Sequence, residues 1–219
     1  MTITISGQQD LVLKIIQDYL DNNRILNLDK VVPYIRNVIA KKNLNINNNG
    51  IKQILKELIE KRHIIQGSKL IREDVLKNEN RKKTYETIKA NPGCYFNTLK
   101  KHLDLTNHII TWHLNVLIKF GFLKKVKIEK HDVYFSSEVK SKNYYKLYLM
   151  SKSKSKKIIS YMRNFDDGIT KTMIATNLGI HYSIVTKYFN KFIEAGILKK
   201  KKFSNKTTYF LKQQFFSTD

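Results

Sequence analysis

Two short stretches of the chain combine lysine with apolar residues at strand-like spacing: LKKVKIEKHDVYF at 123–135 and LKKKKFSNKTTYF at 198–210. Alternate side chains of a β-strand point to opposite faces. The side chains predicted toward a core are Ile128, Val133, Phe135, Phe203 and Phe210. The outward ammonium groups can bind phosphate, which gives affinity without sequence information. These candidates are Lys124, Lys125, Lys127, Lys130, Lys199, Lys200, Lys201, Lys202 and Lys206. Lysines on an edge strand can also serve only to prevent aggregation, but four in succession exceed that need.

A second set of candidate residues is polar, and it precedes each lysine-rich stretch. Asn can pair with adenine and Thr can contact the thymine methyl group, whereas Arg, the commonest reader of guanine, is absent from both segments. We therefore expect a preference for A·T-rich sites or a weak sequence preference, although any surface helix also turns polar side chains outward. The candidates are Thr106, Asn107, His108, Thr111, Trp112 and Asn115, then His181, Tyr182, Ser183, Thr186, Lys187 and Asn190.

Both sets belong to a repeat that positions them. Residues 103–135 and 178–210 align without a gap, 75 residues apart, and 12 of 33 positions are identical. Each copy predicts a helix, a tight turn at Gly121 or Gly196, and a basic hairpin, which is the outline of a winged helix-turn-helix. The apolar positions predicted as core are Leu103, Leu105, Ile110, Leu114, Leu117 and Ile118, which recur as Leu178, Ile180, Val185, Phe189, Phe192 and Ile193.

The amino-terminal part predicts the same order of elements. Apolar periodicity indicates a helix over 8–22, a second helix with Asp29 as N-cap and Pro33 near its first turn, and a third from Ile51. Short apolar pairs on either side of Gly67 predict a β-hairpin. This stretch overlays on the second copy at its apolar positions, but Arg62 stands where the other copies have glycine.

We therefore predict a mainly α protein with small β-hairpin wings (α+β), made of three tandem winged-helix domains at 1–76, 77–138 and 139–219, called the first, second and third copies. In the second copy, a helix over 80–90 ends at Asn91-Pro92-Gly93, since proline cannot continue it. The third copy starts with a connecting helix rich in tyrosine and leucine near 144–149, followed by lysines and serines at 152–157 that are either flexible or begin the next helix.

The charge of the chain favours an anionic partner. It carries 41 Lys and Arg against 18 Asp and Glu, a net charge of +23, which favours nucleic acid first and an anionic membrane surface second. The net charge rises along the three copies from +4 through +6 to +13. A compositional bias of the genome can explain the use of lysine in place of arginine, but it explains the excess of basic over acidic residues less readily. We expect the third copy chiefly to grip phosphate and the second to read bases.

Several other classes of function are disfavoured. Cys94 is the only cysteine, which excludes an internal disulfide and a cysteine-based zinc site. His108 and His113 lie five residues apart, out of phase on a helix, so we expect no metal, and His113 fits a packed position. With no Gly-rich phosphate loop or nucleophile motif, we expect neither an enzyme nor a cofactor, and we identify no small-molecule substrate. No apolar run reaches about 20 residues, and no secretory signal opens the chain, so we expect a cytoplasmic, nucleoid-associated protein.

The motif ITWHL at 110–114, followed by Leu117 and Gly121-Phe122-Leu123, resembles winged helix-turn-helix regulators of the ArsR/MarR-like superfamily. NPGCYFNTLKKHLDL at 91–105 resembles the same family's entry into its helix-turn-helix. The resemblance implies a transcriptional regulator that binds double-stranded DNA and reads the major groove through Thr106 to Asn115. The tandem array departs from the simple family plan: two copies in one chain can mimic the usual dimer, so the need for a homodimer stays open.

Tandem winged helices also occur in scaffolds that bind protein partners, and the three-copy outline resembles endosomal-sorting subunits and RNA polymerase or general transcription factor subunits. Trp112, Tyr182 and Tyr188 would then anchor a protein, because aromatic residues dominate such interfaces. A steep fall of DNA affinity with salt would favour the DNA-binding alternative.

Overall fold

The structure is a computed structural model that describes residues 7–203 and 206–212. The chain divides into two compact units. The amino-terminal unit comprises Met1–Tyr85 with Leu105–Leu123, and the carboxy-terminal unit comprises Glu86–Asp104 with Lys124–Asp219. This division passes through the second copy, so three domains with boundaries at 76/77 and 138/139 stay a prediction.

The helices and strands follow the winged-helix order and confirm a mainly helical protein with small antiparallel sheets. In chain order they are α1 Gly7–Asp21, α2 Leu28–Lys41, α3 Asn48–Glu60, α4 Arg72–Val75, α5 Glu79–Ala90, β1 Cys94–Tyr95, α6 Phe96–His102, α7 Asn107–Lys119, β2 Leu123–Ile128, β3 His131–Ser136, α8 Tyr144–Ser151, α9 Ser153–Met162, α10 Lys171–Leu178, α11 Tyr182–Glu194, β4 Leu198–Phe203 and β5 Lys206–Leu211. The predicted connecting helix is α8, and the lysines and serines after it begin α9.

The amino-terminal unit is built around α1, α2 and α3, whose apolar stripes share one core. The N-cap of α2 is Asn27, not the predicted Asp29: the Asn27 carboxamide accepts hydrogen bonds from the amides of residues 29 and 30. Asn and Asp cap helices about equally well, so residue type did not distinguish the two positions. The earlier start places Pro33 in the second turn of α2, beyond the predicted first turn.

The predicted β-hairpin around Gly67 is wrong. Residues 61–71, all of them described, form turns and contain no strand. The backbone there bonds elsewhere: the amide of Leu26 donates to the carbonyl of Ser68, and the amide of Gly67 donates to the carbonyl of Leu26, both at 2.8 Å. Ile64 and Ile71 are buried as the apolar pattern requires. The first copy therefore has a loop anchored by Ile64 and Ile71 in place of a wing.

The same turn ends the third helix of every copy. The amide of Gly121 donates to the carbonyl of Ile118 and the next amide to Leu117, and the equivalent pair follows Gly196. Arg62 makes the equivalent bond to Ile59, with the same left-handed backbone (φ 58°). Left-handed conformations favour glycine, which completes this helix-ending motif in most proteins. The recurrence supports the predicted alignment of Arg62 with the two glycines.

The carboxy-terminal unit holds both sheets. β3 lies between β1 and β2, and β4 pairs with β5. Cys94 pairs with Tyr134, and 75 residues later Ile169 pairs with Tyr209 in a single bridge. The duplication therefore extends to the strand that precedes each helix-turn-helix. Both predicted wings are confirmed as hairpins.

The predicted core positions are mostly confirmed. Ile110, Leu114 and Leu117, and likewise Val185, Phe189 and Phe192, are at most 2 % exposed. Val133 and Phe135 are buried and Ile128 packs against them. Phe210 corrects the prediction: it is half-buried, and its neighbour Tyr209 enters the core instead. The side chain of Phe203 lies outside the described residues.

Candidate nucleic-acid interface

The third copy lies wholly within the carboxy-terminal unit, and α11 presents its predicted polar face. His181, Tyr182, Ser183, Lys187 and Asn190 are exposed. His181 caps α11, since its Nδ1 accepts a hydrogen bond from the amide of Ser183 at 3.3 Å and lies 2.7 Å from the Ser183 hydroxyl. Two of the predicted reading side chains are thus already engaged with each other in the free protein.

Thr186 departs from this pattern. It is half-buried, and its hydroxyl is buried without a hydrogen-bond partner among the described residues. Tyr182, by contrast, is 52 % exposed at the start of α11. The side chains that α11 offers most freely are therefore an aromatic ring, a lysine and an asparagine.

The wing of the third copy is strongly basic along one strand. Lys199, Lys200, Lys201 and Lys202 are all exposed, as is Lys206 on the partner strand. Leu198, at the base of the hairpin, is buried. The four lysines thus form an arm of like charge that extends from an anchored base. Repulsion among them is relieved when phosphate binds, since phosphate contacts neutralise ammonium groups.

A polar cavity of about 570 Å³ lies beside this wing, between the start of α10 and the start of α11. Thr170 caps α10 by accepting from the amide of Met173 at 3.3 Å, and Lys171 lies over the ring of Tyr209. Tyr182 and Lys206, predicted from separate motifs, line the same cavity. Lys171 and Thr172 also line it and were not among the predicted residues. A Thr N-cap before a lysine is the signal that would have found them, because helix N-termini bind anions.

The wing of the second copy is less free for phosphate. Lys125 and Lys127 pair with Asp132 of the opposite strand at 3.4 and 3.5 Å. Desolvation opposes ionisation of Asp132, but the two lysines outweigh it and lower the pKa of that carboxyl. Lys124 and Lys130 are exposed. Half of the predicted phosphate contacts of this wing are therefore partly neutralised within the protein.

The turn of this wing is bound within the carboxy-terminal unit. Glu129, between β2 and β3, accepts hydrogen bonds from Lys152 and from the Tyr148 hydroxyl, each at 3.0 Å, and pairs closely with Lys191 of α11. Burial alone would raise the pKa of Glu129, but these three donors overcome it and lower the pKa to about 2. Glu129 is therefore ionised at any physiological pH, and the wing tip is fixed to α11.

In the amino-terminal unit, α7 carries the other predicted reading face. Thr106 caps the helix, and the Thr111 hydroxyl donates to the carbonyl of Asn107 at 2.8 Å. Asn107, His108, Thr111 and Asn115 are exposed, and so is Trp112 at 49 %. The predicted polar face is therefore confirmed as solvent-exposed, while its role in binding stays a prediction.

A buried arginine lies against the ring of Trp112. The Arg81 guanidinium lies 5.0 Å from the Trp112 ring centre and donates to the carbonyl of Val75 at 2.8 Å. His113, on the inner side of α7, is buried as predicted. Its pKa is lowered by burial and by the charge of Arg81. His113 is thus a packed neutral residue, and no group of metal-ligating side chains occurs in the described part of the chain.

Two further arginines hold the carboxyl end of α7. Arg62 donates to the carbonyl of Ile118 at 3.2 Å, and Arg72 donates to the carbonyl of Phe120. Cations at this end of a helix satisfy its free carbonyls and complement its dipole. Three of the six arginines in the chain therefore position α7 and are not free to read guanine. Sequence reasoning missed this role because Arg62 and Arg72 contact residues about 50 positions away.

No protein-family model matches this chain. The chain is similar to an uncharacterised HTH-type transcriptional regulator of the archaeon Methanocaldococcus jannaschii. The two are 29 % identical over 141 residues, which is 64 % of this chain and 35 % of that protein. The chain thus matches about a third of the length of its relative. The similarity supports the helix-turn-helix assignment, and the ArsR/MarR-like assignment stays a prediction.

In the part of the chain that the structure describes, no helix is long and apolar enough to cross a membrane.

Proposed function

We propose that the chain is a transcriptional regulator that binds duplex DNA, with the third copy as its main phosphate-binding surface. The observation that carries the proposal is the continuous basic strand Lys199–Lys202, which is exposed along its whole length beside the cavity at the start of α10. Lys171 and Lys206 extend the same charge around that cavity. The relative's name supports a role in transcription.

The two predicted reading helices, α7 and α11, have different roles in this proposal. α11 offers Lys187 where α7 offers Trp112, and the second wing has two of its lysines paired with Asp132. The third copy accordingly supplies affinity, and α7 reads bases through Asn107, Thr111 and Asn115. Trp112 contacts the thymine methyl group or the sugar edge through its exposed ring. A·T-rich sites are favoured because neither α7 nor α11 contains an arginine.

We propose a binding protein of the cytoplasm or nucleoid, not an enzyme. Its second and third copies supply the DNA contacts, so DNA binding does not require a homodimer. Phosphate contacts supply most of the affinity for any sequence, and base contacts add selectivity.

Selection of binding sites from a random duplex pool, followed by gel shift at low salt, tests the proposal. We expect retained binding to duplex DNA, enrichment of A·T-rich sequences, and weaker selection by an Asn107→Ala, Asn115→Ala variant. Enrichment of G·C-rich sequences would refute the base-reading part. Absence of duplex binding at low salt would refute the proposal as a whole and favour a protein-binding scaffold anchored by the exposed aromatic rings.

A further inference from the structure

A small basic pocket in the carboxy-terminal unit lies where α11 meets the start of α9. Its volume is about 270 Å³, and its charged lining consists of Lys152, Lys154, Lys187, Lys191 and Glu129. Four ammonium groups thus face one carboxylate. Only Lys187 belongs to the predicted reading face of α11, so the pocket extends beyond the interface described above.

The charges inside the pocket do not balance. The side chains of Lys152 and Lys191 are only 17 % and 21 % exposed, and both bind the same carboxylate of Glu129. One carboxylate neutralises one ammonium group, so a second positive charge remains in a partly desolvated position. Lys154 and Lys187 are exposed at the rim and raise the excess to three charges. Concave sites of one charge sign concentrate counter-ions.

The start of α9 adds to the positive electrostatic potential of the pocket. Lys152 is its N-cap residue and supplies no side-chain hydrogen bond to the first turn. That side chain therefore accepts no hydrogen bond from the amides of the first turn, and the helix dipole is positive at this end. The pocket is slightly smaller than the roughly 300–1,000 Å³ typical of sites for whole drug-sized ligands. It suits one multiply charged group whose several oxygens can accept from several ammonium groups.

We propose that this pocket binds a phosphate group, with Lys154 and Lys187 as its principal ligands and Glu129 holding Lys152 and Lys191 in position. Glu129 has a left-handed backbone (φ 52°) that non-glycine residues rarely adopt. Its three hydrogen bonds fix that conformation and keep the two inner lysines extended into the pocket. The phosphate belongs either to a small phosphorylated molecule or to the DNA backbone; only the second source rests on the function proposed above.

Calorimetric titration of the full chain with sodium phosphate, at ionic strength held constant with sodium chloride, tests the first source. The variant is Lys154→Gln, Lys187→Gln, and the control of equal charge is Lys41→Gln, Lys42→Gln on the exposed end of α2. We expect saturable phosphate binding by the wild type and the control, and binding at least about tenfold weaker in the variant, because hydrogen bonds to charged groups are lost.

Gel shift of the same three proteins with duplex DNA tests the second source. If phosphate alone does not bind saturably, the pocket must bind a phosphate of the DNA backbone. The pocket variant should then lose at least about tenfold more DNA affinity than the control. If phosphate does not bind saturably and the two variants show equal DNA affinity, the proposal is overturned. If the wild type binds no DNA, the function proposed above fails, and the phosphate titration alone decides whether the pocket is an anion site.

Discussion

Replacing Glu129 with glutamine should destabilise the carboxy-terminal unit. The substitution keeps the size of the side chain but removes the charge that binds Lys152 and Lys191. Glutamine can still accept from one donor, while the two partly buried ammonium groups lose their counter-ion. Removing one partner of a partly buried pair costs more than the pair contributes, because the remaining charge is left without compensation.

The magnitude follows from the pKa of Glu129. A fall from 4.5 to about 2 corresponds to about 3 kcal/mol at about 1.36 kcal/mol per pKa unit. The Glu129 side chain is 31 % exposed, and solvent screening weakens exposed ion pairs. We therefore expect a loss of about 1–2 kcal/mol in the free energy of unfolding at pH 7. For a chain of this size, that loss lowers the melting temperature by roughly 2–8 °C.

The effect should depend on pH in a defined direction. Because folding lowers the pKa of Glu129, its contribution is fully present above the unfolded value of about 4.5 and is lost as pH falls toward about 2. Urea unfolding followed by circular dichroism at pH 7, 5 and 3 should show the wild type and Glu129→Gln converging at the lowest pH.

Asp132→Asn is the matched control, since it also removes a carboxylate that pairs with two lysines, but on an exposed surface. Exposed pairs contribute little, so this control should change the free energy of unfolding by less than about 1 kcal/mol. A Glu129→Gln effect no larger than that of Asp132→Asn at pH 7, or one that grows as the pH falls, would contradict the assigned role of Glu129.

Three further predictions concern other parts of the fold. Gly93→Ala should lower the free energy of unfolding, measured with urea, by about 3 kcal/mol or more, because residue 93 has a left-handed conformation and its Cβ would lie 2.6 Å from the backbone of Leu147. Gly67→Ala should lower it by about 1 kcal/mol, because Gly67 also has a positive φ but has open space around it. Burial raises the pKa of Cys94 to about 12, so a thiol reagent should label it slowly at pH 8. The contribution of Cys94 to the free energy of unfolding should fall above pH 9, the unfolded value of its pKa. Rapid labelling of the folded chain would refute this burial. Trp112 is the only tryptophan, so its fluorescence should change when duplex DNA binds α7; unchanged emission at saturation would remove α7 from the interface.

The duplication made most of the fold predictable. Each apolar position of α7 had a counterpart in α11, so two independent sequences supported the same helix, the same turn and the same wing. Arg62 extended this agreement to α3, although the other two copies have glycine at that position. The core positions followed because burial on a helix has a fixed period.

The first copy shows where local pattern fails. Apolar pairs around Gly67 satisfied the pattern of a hairpin, but the backbone of Gly67 and Ser68 bonds to Leu26, some 40 residues earlier. No local signal reports such a partner. Asn27 and Asp29 were likewise both competent N-caps, and the choice between them was not encoded in residue type.

The candidate site was predictable in its exposure but not in its electrostatics. Spacing placed the lysines of both wings outward, and the structure agrees. It did not reveal that Asp132 pairs with two of them or that Glu129 reaches α11. The contact of Glu129 with Lys191 depends on the packing of α8, α9 and α11, whereas Asp132 pairs with lysines across its own hairpin. Both sets of contacts make the two wings unequal. The predicted residues most available for phosphate are therefore those on β4.

The salt dependence of DNA binding tests the central claim most directly. For duplex DNA, the slope of log affinity against log salt is about −0.9 per phosphate neutralised. Replacing Lys199–Lys202 by glutamine should make the slope less steep by about 3–4, while the same charge removed at Lys41, Lys42, Lys52 and Lys69, which are exposed in the amino-terminal unit, should change it by less than about 1. Equal slopes for the two variants would show that the basic strand of the third copy is not the phosphate-binding surface.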